Sequence, residues 1–218
     1  MRKNLFPLHG KPLIAWTLEQ ARHSRLIDEI LVSTDDGEIA GIARDHGLPP
    51  PFLRPPALAR DDSPVADAVL HALDWLEERG RSFDILVLLE PTSPLRKRDD
   101  IDNAIGLFLS REEEADALVS LGEIHLENPY IAKNLENGFV TPFLGSGNIK
   151  YNRQQLNKVY FPYGVIYMSK IDTYRKARTF YQDRTLAFPI ERWQNYEVDD
   201  LCDLICISAV MEGKMGEL

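Results

Sequence analysis

The sequence predicts an α/β fold: a mixed, mostly parallel sheet covered by helices on both faces. Three observations carry this. Segments with apolar residues at helical spacing alternate with short apolar runs along most of the chain. One run, Ile85-Leu86-Val87-Leu88-Leu89, is apolar throughout and reads as a fully buried strand. It leads straight into Glu90-Pro91-Thr92-Ser93-Pro94-Leu95-Arg96. Two prolines stop the strand there, because proline lacks a backbone donor and disfavours helix just before it. The product is a stiff loop with hydroxyls and one arginine at the carboxyl end of a central strand. Ligands bind at that place in open α/β sheets.

The elements follow in order. Lys11 to Ser24 carries Leu13, Trp16, Leu18 and Ala21 at helical spacing, with Pro12 tolerated in the first turn. Glu29 to Ser33 reads as a strand and Asp36 to Asp45 as a helix. Asp35, with Glu38 three residues on, looks like a capping box. Val65 to Glu78 is a longer helix with Val69, Leu73 and Leu76 on one face. After the buried strand, Ile101 to Leu109 is helical, with Asp99 as its cap and Asp102 in its first turn. Ala117 to Leu121 is a strand. The pattern then changes. Ile124 to Val159 shows no strong helix and carries Gly138, Gly145 and Gly147 between short apolar runs. It reads as antiparallel hairpins projecting from the one domain that spans 1–218. Gly164 to Met168 is another buried strand, and a last helix runs from about Leu201 to Glu212. The chain begins almost directly with a helix, without the opening strand and glycine-rich loop usual in doubly wound folds.

Composition narrows the function. A chain of 218 residues, 44% hydrophobic and 27% charged, can bury a proper core. A formal net charge of -9 argues against nucleic acid or an anionic membrane as the main partner. An anionic substrate then needs local positive charge or a metal. No apolar run is long enough to span a bilayer, and the start shows no secretory signal. Cys202 and Cys206, four apart on one helix face, read as small buried residues. Nothing suggests a disulfide framework, which makes a reducing cytoplasm the expected compartment. None of the five scattered histidines is assigned to metal or catalysis.

Several short pieces, in order, resemble the acylneuraminate cytidylyltransferases over nearly the whole chain. They are Lys3-Asn4 with Gly10-Lys11-Pro12-Leu13; Val32-Ser33-Thr34-Asp35; Arg54-Pro55 with Leu58-Ala59 and Asp61; Pro91 to Arg96; Arg153-Gln154; Gly164-Val165-Ile166-Tyr167; and Glu197-Val198-Asp199 with Asp203. Each is weak alone; their order and spacing together are fairly specific. The resemblance implies a Rossmann-like nucleotidyltransferase fold. The arm 124–159 cannot bury its apolar residues alone, so a homodimer with the arm reaching over the partner is expected, and the resemblance also implies a magnesium-dependent enzyme that joins CTP to a 2-keto sugar acid and releases pyrophosphate. It places Lys3, Asn4 and Arg54 at the nucleotide. Glu90, Thr92, Ser93, Arg153, Gln154, Tyr163 and Gly164 fall at the sugar, and Glu197 and Asp199 at Mg2+.

Spacing bears on the last pair independently. Residues two apart in an extended segment point to one side, and two converging carboxylates repel unless a cation sits between them. Without the resemblance, these acids read better as the favourable N-terminal turn of the last helix, with Asp200 capping it, and the resemblance reverses that preference. No residue singles itself out as a catalytic base.

The chain also departs from the family. Glutamate stands at 90 where glutamine is typical, and Glu197 stands where aspartate is commoner. Phe161-Pro162-Tyr163-Gly164 replaces R-P-N-G and removes an arginine expected near the sugar acid. This leaves legionaminic- or pseudaminic-type sugars as plausible as sialic acid. The family's opening strand and its A-R-G-G-S-K-G-x-P motif belong just ahead of Arg2-Lys3-Asn4. A chain without them is expected to be less stable and to bind CTP weakly. The rival reading is a sugar-nucleotide-binding or assembly protein that has lost the phosphate loop. A dehydrogenase is disfavoured, since no G-x-G-x-x-G follows a first strand.

Overall fold

The computed structural model describes residues 2–145 and 156–218. Lys3–Leu5 form a single 3-10 turn, tied by Leu5 N–H to the Arg2 carbonyl (3.1 Å) and Phe6 N–H to the Lys3 carbonyl (2.9 Å). The start is therefore ordered. A minimal hairpin follows, β1 (Pro7–Leu8) and β2 (Lys11–Pro12). Its turn needs positive φ at both central residues, His9 (46°) and Gly10 (83°), as two-residue hairpin turns of the favoured hand do. Helix α1 (Leu13–His23) begins directly after Pro12, and α2 (Gly37–Asp45) follows the segment from Glu29 to Ser33. Then come α3 (Val65–Glu77), β3 (Ile85–Leu88), α4 (Asp100–Ser110) and β4 (Ala117–Glu123). The hairpin β5 (Lys133–Glu136) and β6 (Phe139–Pro142) precedes β7 (Tyr160–Lys170), α5 (Ile171–Ala177), β8 (Thr185–Pro189) and α6 (Leu201–Lys214).

The main sheet has the order β3-β7-β4-β8. β7 is antiparallel to both its neighbours, while β4 and β8 are parallel. Three strands thus run one way and β7 opposes them, so the sheet is mixed as expected, with two antiparallel pairings and one parallel pairing among the described residues. Both faces are covered. Ile85 and Val87 pack with Ile166, Met168, Leu118 and Phe108 of α4. Leu86 and Leu88 turn to the other face, against Val69 and Leu73 of α3 and Tyr174 of α5. This is the period-two alternation of a strand between two helix layers. A third cluster docks Ile207 and Met211 of α6 against Leu13 and Leu95, which brings the last helix to the proline loop.

Several expectations are corrected. Glu29 to Ser33 joins no ladder: among the described residues, none of its backbone groups bonds to another strand. β3 is half-buried, not fully buried: among the described residues it pairs with β7 along one edge. Asp36, not Asp35, caps α2, its Oδ1 accepting from Glu38 N (2.8 Å) and Ile39 N (3.3 Å). Asp99 makes no side-chain cap for α4, while Asp102 reaches out to accept from Arg25 N (3.1 Å). Cys202 and Cys206 are exposed, since α6 buries Ile207 and Met211 and turns the cysteines outward. α5 and β8 carry no sequence signal long enough to be read. Among the described residues, no helix is long and apolar enough to cross a membrane.

Candidate functional site

The loop after β3 is held from four sides. Prolines remove donors from this loop, so its carbonyls need partners from elsewhere. Gln20 of α1 donates its side-chain amide to the Pro94 carbonyl (3.1 Å) and the Arg96 carbonyl (3.0 Å). Gln194 donates to the Leu95 carbonyl (3.0 Å). Val198 N–H donates to the Thr92 carbonyl (2.8 Å). Arg96 is wholly buried and donates to the carbonyls of Val165 (2.5 Å), Glu90 (2.6 Å) and Gly164 (3.1 Å). It also reaches Thr17 Oγ1 (2.9 Å) and Gln20 Oε1 (3.2 Å). Burial pushes its pKa down to about 10, which leaves it charged at neutral pH. The loop's one arginine is therefore a structural tie between α1, the loop and β7.

That tie sets up an acid–glycine constellation. The carboxylate of Glu197 accepts from Ser93 Oγ–H (3.0 Å) and from Gly164 N–H. Glu90 lies against the same glycine: a Cβ at position 164 would sit 2.2 Å from Glu90 Oε2 and 2.9 Å from Glu197 Oε1. Glycine is required here by close approach, not by φ. Burial, the Glu197 charge and, less, the Asp199 charge all hold the Glu90 carboxyl above the usual range, while Arg96 and Lys3 pull it down. Lys3 Nζ meets Asp199 Oδ1 at 2.7 Å. Asp200 caps α6, and Asp203 answers with its own carboxylate to Asp200 N (3.0 Å) and Asp199 N (2.9 Å). This reciprocal box fixes the backbone that presents Asp199.

The other sequence candidates surround this centre. Asn4 and Arg54 line a cleft that Glu90 and Pro91 also line. Arg54 Nη2 points toward Asp35 Oδ1 (3.4 Å), and Arg54 N–H donates to the Thr34 carbonyl (2.8 Å). The Tyr163 ring packs edge-on to Phe161, with centroids 5.1 Å apart. Arg153 and Gln154 lie outside the described residues. Sequence reading missed Asp35 as the arginine's partner, and it missed Tyr167 and Tyr181. Burial chiefly, with the Glu90 charge, raises both phenols. Tyr167 sits opposite Leu88 in the β3–β7 register, so only the strand pairing could have placed it beside the site.

The donor chemistry fits magnesium. Among the described residues, no three His, Cys, Asp or Glu side chains gather closely enough to form a protein-only cage. Mg2+ does not need one: it is commonly held by one or two carboxylates plus substrate phosphates. Glu197 and Asp199 offer hard oxygens of that kind, with Asp199 Oδ1 paired to Lys3 Nζ (2.7 Å).

Glu90→Gln is expected to stabilise the protein. A carboxyl whose folded pKa lies above its unfolded value contributes stability below the unfolded pKa and loses it as pH rises through the folded one. Ionised Glu90 is thus a cost near neutral pH, and glutamine removes it. The thermal midpoint of the variant should exceed that of the parent near neutral pH and converge with it below about pH 4. A gap that persists unchanged in acid would contradict this origin.

A family model described as cytidylyltransferase matches residues 1–202. The chain is 30% identical over 205 residues to the N-acylneuraminate cytidylyltransferase of Streptococcus agalactiae serotype V, covering 93% of this chain and 48% of that protein. It is 33% identical over 184 residues to the CMP-N,N'-diacetyllegionaminic acid synthase of Legionella pneumophila, covering 84% of this chain and 77% of that one. It thus spans about half the length of the first of these curated relatives and most of the second. Among solved structures, a CMP:2-keto-3-deoxy-manno-octonic acid synthetase complexed with CTP superposes with a TM-score of 0.69 at 16% identity, covering 97% of this chain and 92% of that one. The fold, the loop after β3 and the match across residues 1–202 together settle the lineage: this chain belongs to the cytidylyltransferase family.

Proposed function

We propose that this chain is the catalytic unit of a cytoplasmic enzyme that moves CMP from CTP to a 2-keto sugar acid of the sialic, legionaminic or pseudaminic class. The observation that carries the reading is the Gly164 gap between Glu90 and Glu197, at the carboxyl end of β3, with Lys3 and Asp199 beside it. Lys3, Asn4 and Arg54 bind the nucleotide. Glu90, Thr92, Ser93, Tyr163 and Gly164 face the sugar, and a carboxyl as buried as Glu90 suits the hydroxyls of a polyol better than an anion. Glu197 and Asp199 hold Mg2+, which when bound neutralises the nucleotide phosphates. The anomeric hydroxyl of the sugar gives up its proton to solvent water, and its oxygen forms a new bond to the α-phosphorus. The bond from that phosphorus to the bridging oxygen breaks, and pyrophosphate leaves with the electron pair. The side chains position and neutralise; none forms a covalent bond. The hairpin β5–β6 exposes Leu135, Phe139 (76%) and Val140, apolar surface that supports a homodimer through this arm.

The test measures pyrophosphate release with CTP, Mg2+ and each sugar acid. It uses the chain itself and a version with the family's opening strand and A-R-G-G-S-K-G-x-P segment joined ahead of Arg2. Release that depends on both sugar and magnesium is expected from the joined version, and far slower release from the chain alone. Asp199→Ala in the joined version should lower the rate by about a thousandfold, within the range for lost transition-state charge stabilisation, with the circular dichroism unchanged. No release with any sugar acid, or full release by the variant, would contradict the reading.

A further inference from the structure

Arg54 rides on a segment rich in proline, with Pro49, Pro50 and Pro51 ahead of it and Pro55 and Pro56 behind. Proline has no backbone donor, so hydrogen bonds do little to fix such a segment. Its two ends are tied. Leu48 N–H donates to the Ala43 carbonyl (2.8 Å), and Arg54 N–H donates to the Thr34 carbonyl (2.8 Å). Between those ties, among the described residues, no backbone group from Pro49 to Leu53 bonds to another.

One side chain fastens the stretch instead. The Phe52 ring meets His71 edge-on, with centroids 4.7 Å apart and planes at 84°. It also leans on Trp75, with centroids 5.6 Å apart. His71 and Trp75 are four apart on α3, so they share one face and form a two-ring seat. The opposite face of α3 buries Val69, Leu73 and Leu76, which anchors the seat to the core. Arg79, one turn further on, stacks over Trp75 at 4.0 Å and donates to the Trp75 carbonyl (3.0 Å). His71 Nδ1 is buried without a hydrogen-bond partner, so this ring holds Phe52 by packing.

The link from Phe52 to Arg54 is short and stiff. Leu53 alone lies between them, and Pro55 confines Arg54 to extended backbone. The Arg54 side chain itself is loosely held: its Nη2 is 3.4 Å from Asp35 Oδ1, and its Nε is buried with no partner. Arg54 lines the cleft beside Glu90, while Phe52, His71 and Trp75 do not. We infer that Phe52, seated on His71 and Trp75, is a positioning residue for the nucleotide: it sets where Arg54 presents its guanidinium. This rests on the placement of Arg54 at the nucleotide proposed above. Phe52 acts through Arg54 and touches no substrate.

The test is a double-mutant cycle of Phe52→Ala and Arg54→Ala in the joined version. The Kd for CTP is read by calorimetric titration, and KM and kcat by pyrophosphate release. Phe52→Ala should raise the Kd and KM for CTP about tenfold and leave kcat within about twofold, the pattern of lost ground-state binding. Arg54→Ala should raise both at least as much. Adding Phe52→Ala to Arg54→Ala should change them by less than about twofold, because the two residues act as one unit. Phe52→Leu keeps an apolar side chain on the seat and should recover most of the affinity. In the 218-residue chain, Phe52→Ala should speed hydrogen exchange at the Arg54 amide about tenfold and leave the Leu73 and Leu76 amides unchanged. Additive effects of the two substitutions would overturn the proposal, since a merely structural role predicts them. So would unchanged CTP affinity in Phe52→Ala while Arg54→Ala lowers it, a result that leaves the nucleotide assignment of Arg54 standing. Parent-like affinity in Arg54→Ala would remove that assignment, and the role of Phe52 with it.

Discussion

Arg96→Met is expected to destabilise the protein by about 3–5 kcal/mol, the usual cost of breaking a buried charged network by removing one partner. Five acceptors depend on this side chain, three of them carbonyls of Glu90, Gly164 and Val165. Methionine fills part of the volume but satisfies none of them; the Glu90 and Gly164 carbonyls keep one backbone donor each, Ser93 N–H (3.1 Å) and Glu90 N–H (3.4 Å), and a buried polar group left unsatisfied costs about 1–3 kcal/mol. Lysine keeps the charge yet lacks the planar fork, so Arg96→Lys should recover only part of the loss. Urea denaturation near neutral pH checks this. The loop should also loosen, because Gln20 shares the network through Pro94 and Arg96. A cost under about 1 kcal/mol, the scale of a single exposed ion pair, would show that the loop does not depend on Arg96.

Gly164→Ala should leave the fold standing and damage the site. The added Cβ would meet Glu90 Oε2 at 2.2 Å and Glu197 Oε1 at 2.9 Å, distances that force both carboxylates away. Both contacts are with the ends of flexible side chains, so the stability cost should stay within about 1–3 kcal/mol, the range for overpacking. Glu197 would lose its hold on Gly164 N–H and shift from Ser93, and Asp199 two residues on would follow. Displacement of about 1 Å at a reacting centre costs on the order of a hundredfold in rate. Turnover of CTP by the joined version should fall by that much. The double variant Gly164→Ala with Glu90→Ala should regain most of the stability and little of the activity. Full activity in Gly164→Ala would remove this constellation from the chemistry.

Much of the fold was legible because its signals are local. α3 shows Val69, Leu73 and Leu76 at helical spacing, and the structure buries those residues. The run from Glu29 to Ser33 and the run from Ile85 both carry apolar content, yet only the second forms a strand, because ladder membership depends on a neighbour and not on the run itself. The cysteines were misread since spacing fixes which residues share a face, not which face packs; α6 buries Ile207 and Met211 instead. For the site, Glu90, Ser93, Gly164 and Glu197 come from segments far apart in the chain, and only the resemblance named them together. Arg96 was visible as an arginine in a proline loop, but its partners on α1 and β7 were not. Asp35 and Asp36 are adjacent acids, and sequence gave no means of telling which would cap α2 and which would face Arg54.

The most direct measurement labels the sugar. A 2-keto sugar acid carrying 18O at its anomeric hydroxyl is incubated with CTP, Mg2+ and the joined version, and the product is read by mass spectrometry. The account predicts a CMP-glycoside that keeps the 18O between the sugar and phosphorus, with one pyrophosphate for each product. Free CMP with unlabelled sugar-independent pyrophosphate would mean that water, not the sugar, attacks the α-phosphorus, and would contradict the transfer of CMP at the Glu90–Gly164–Glu197 site.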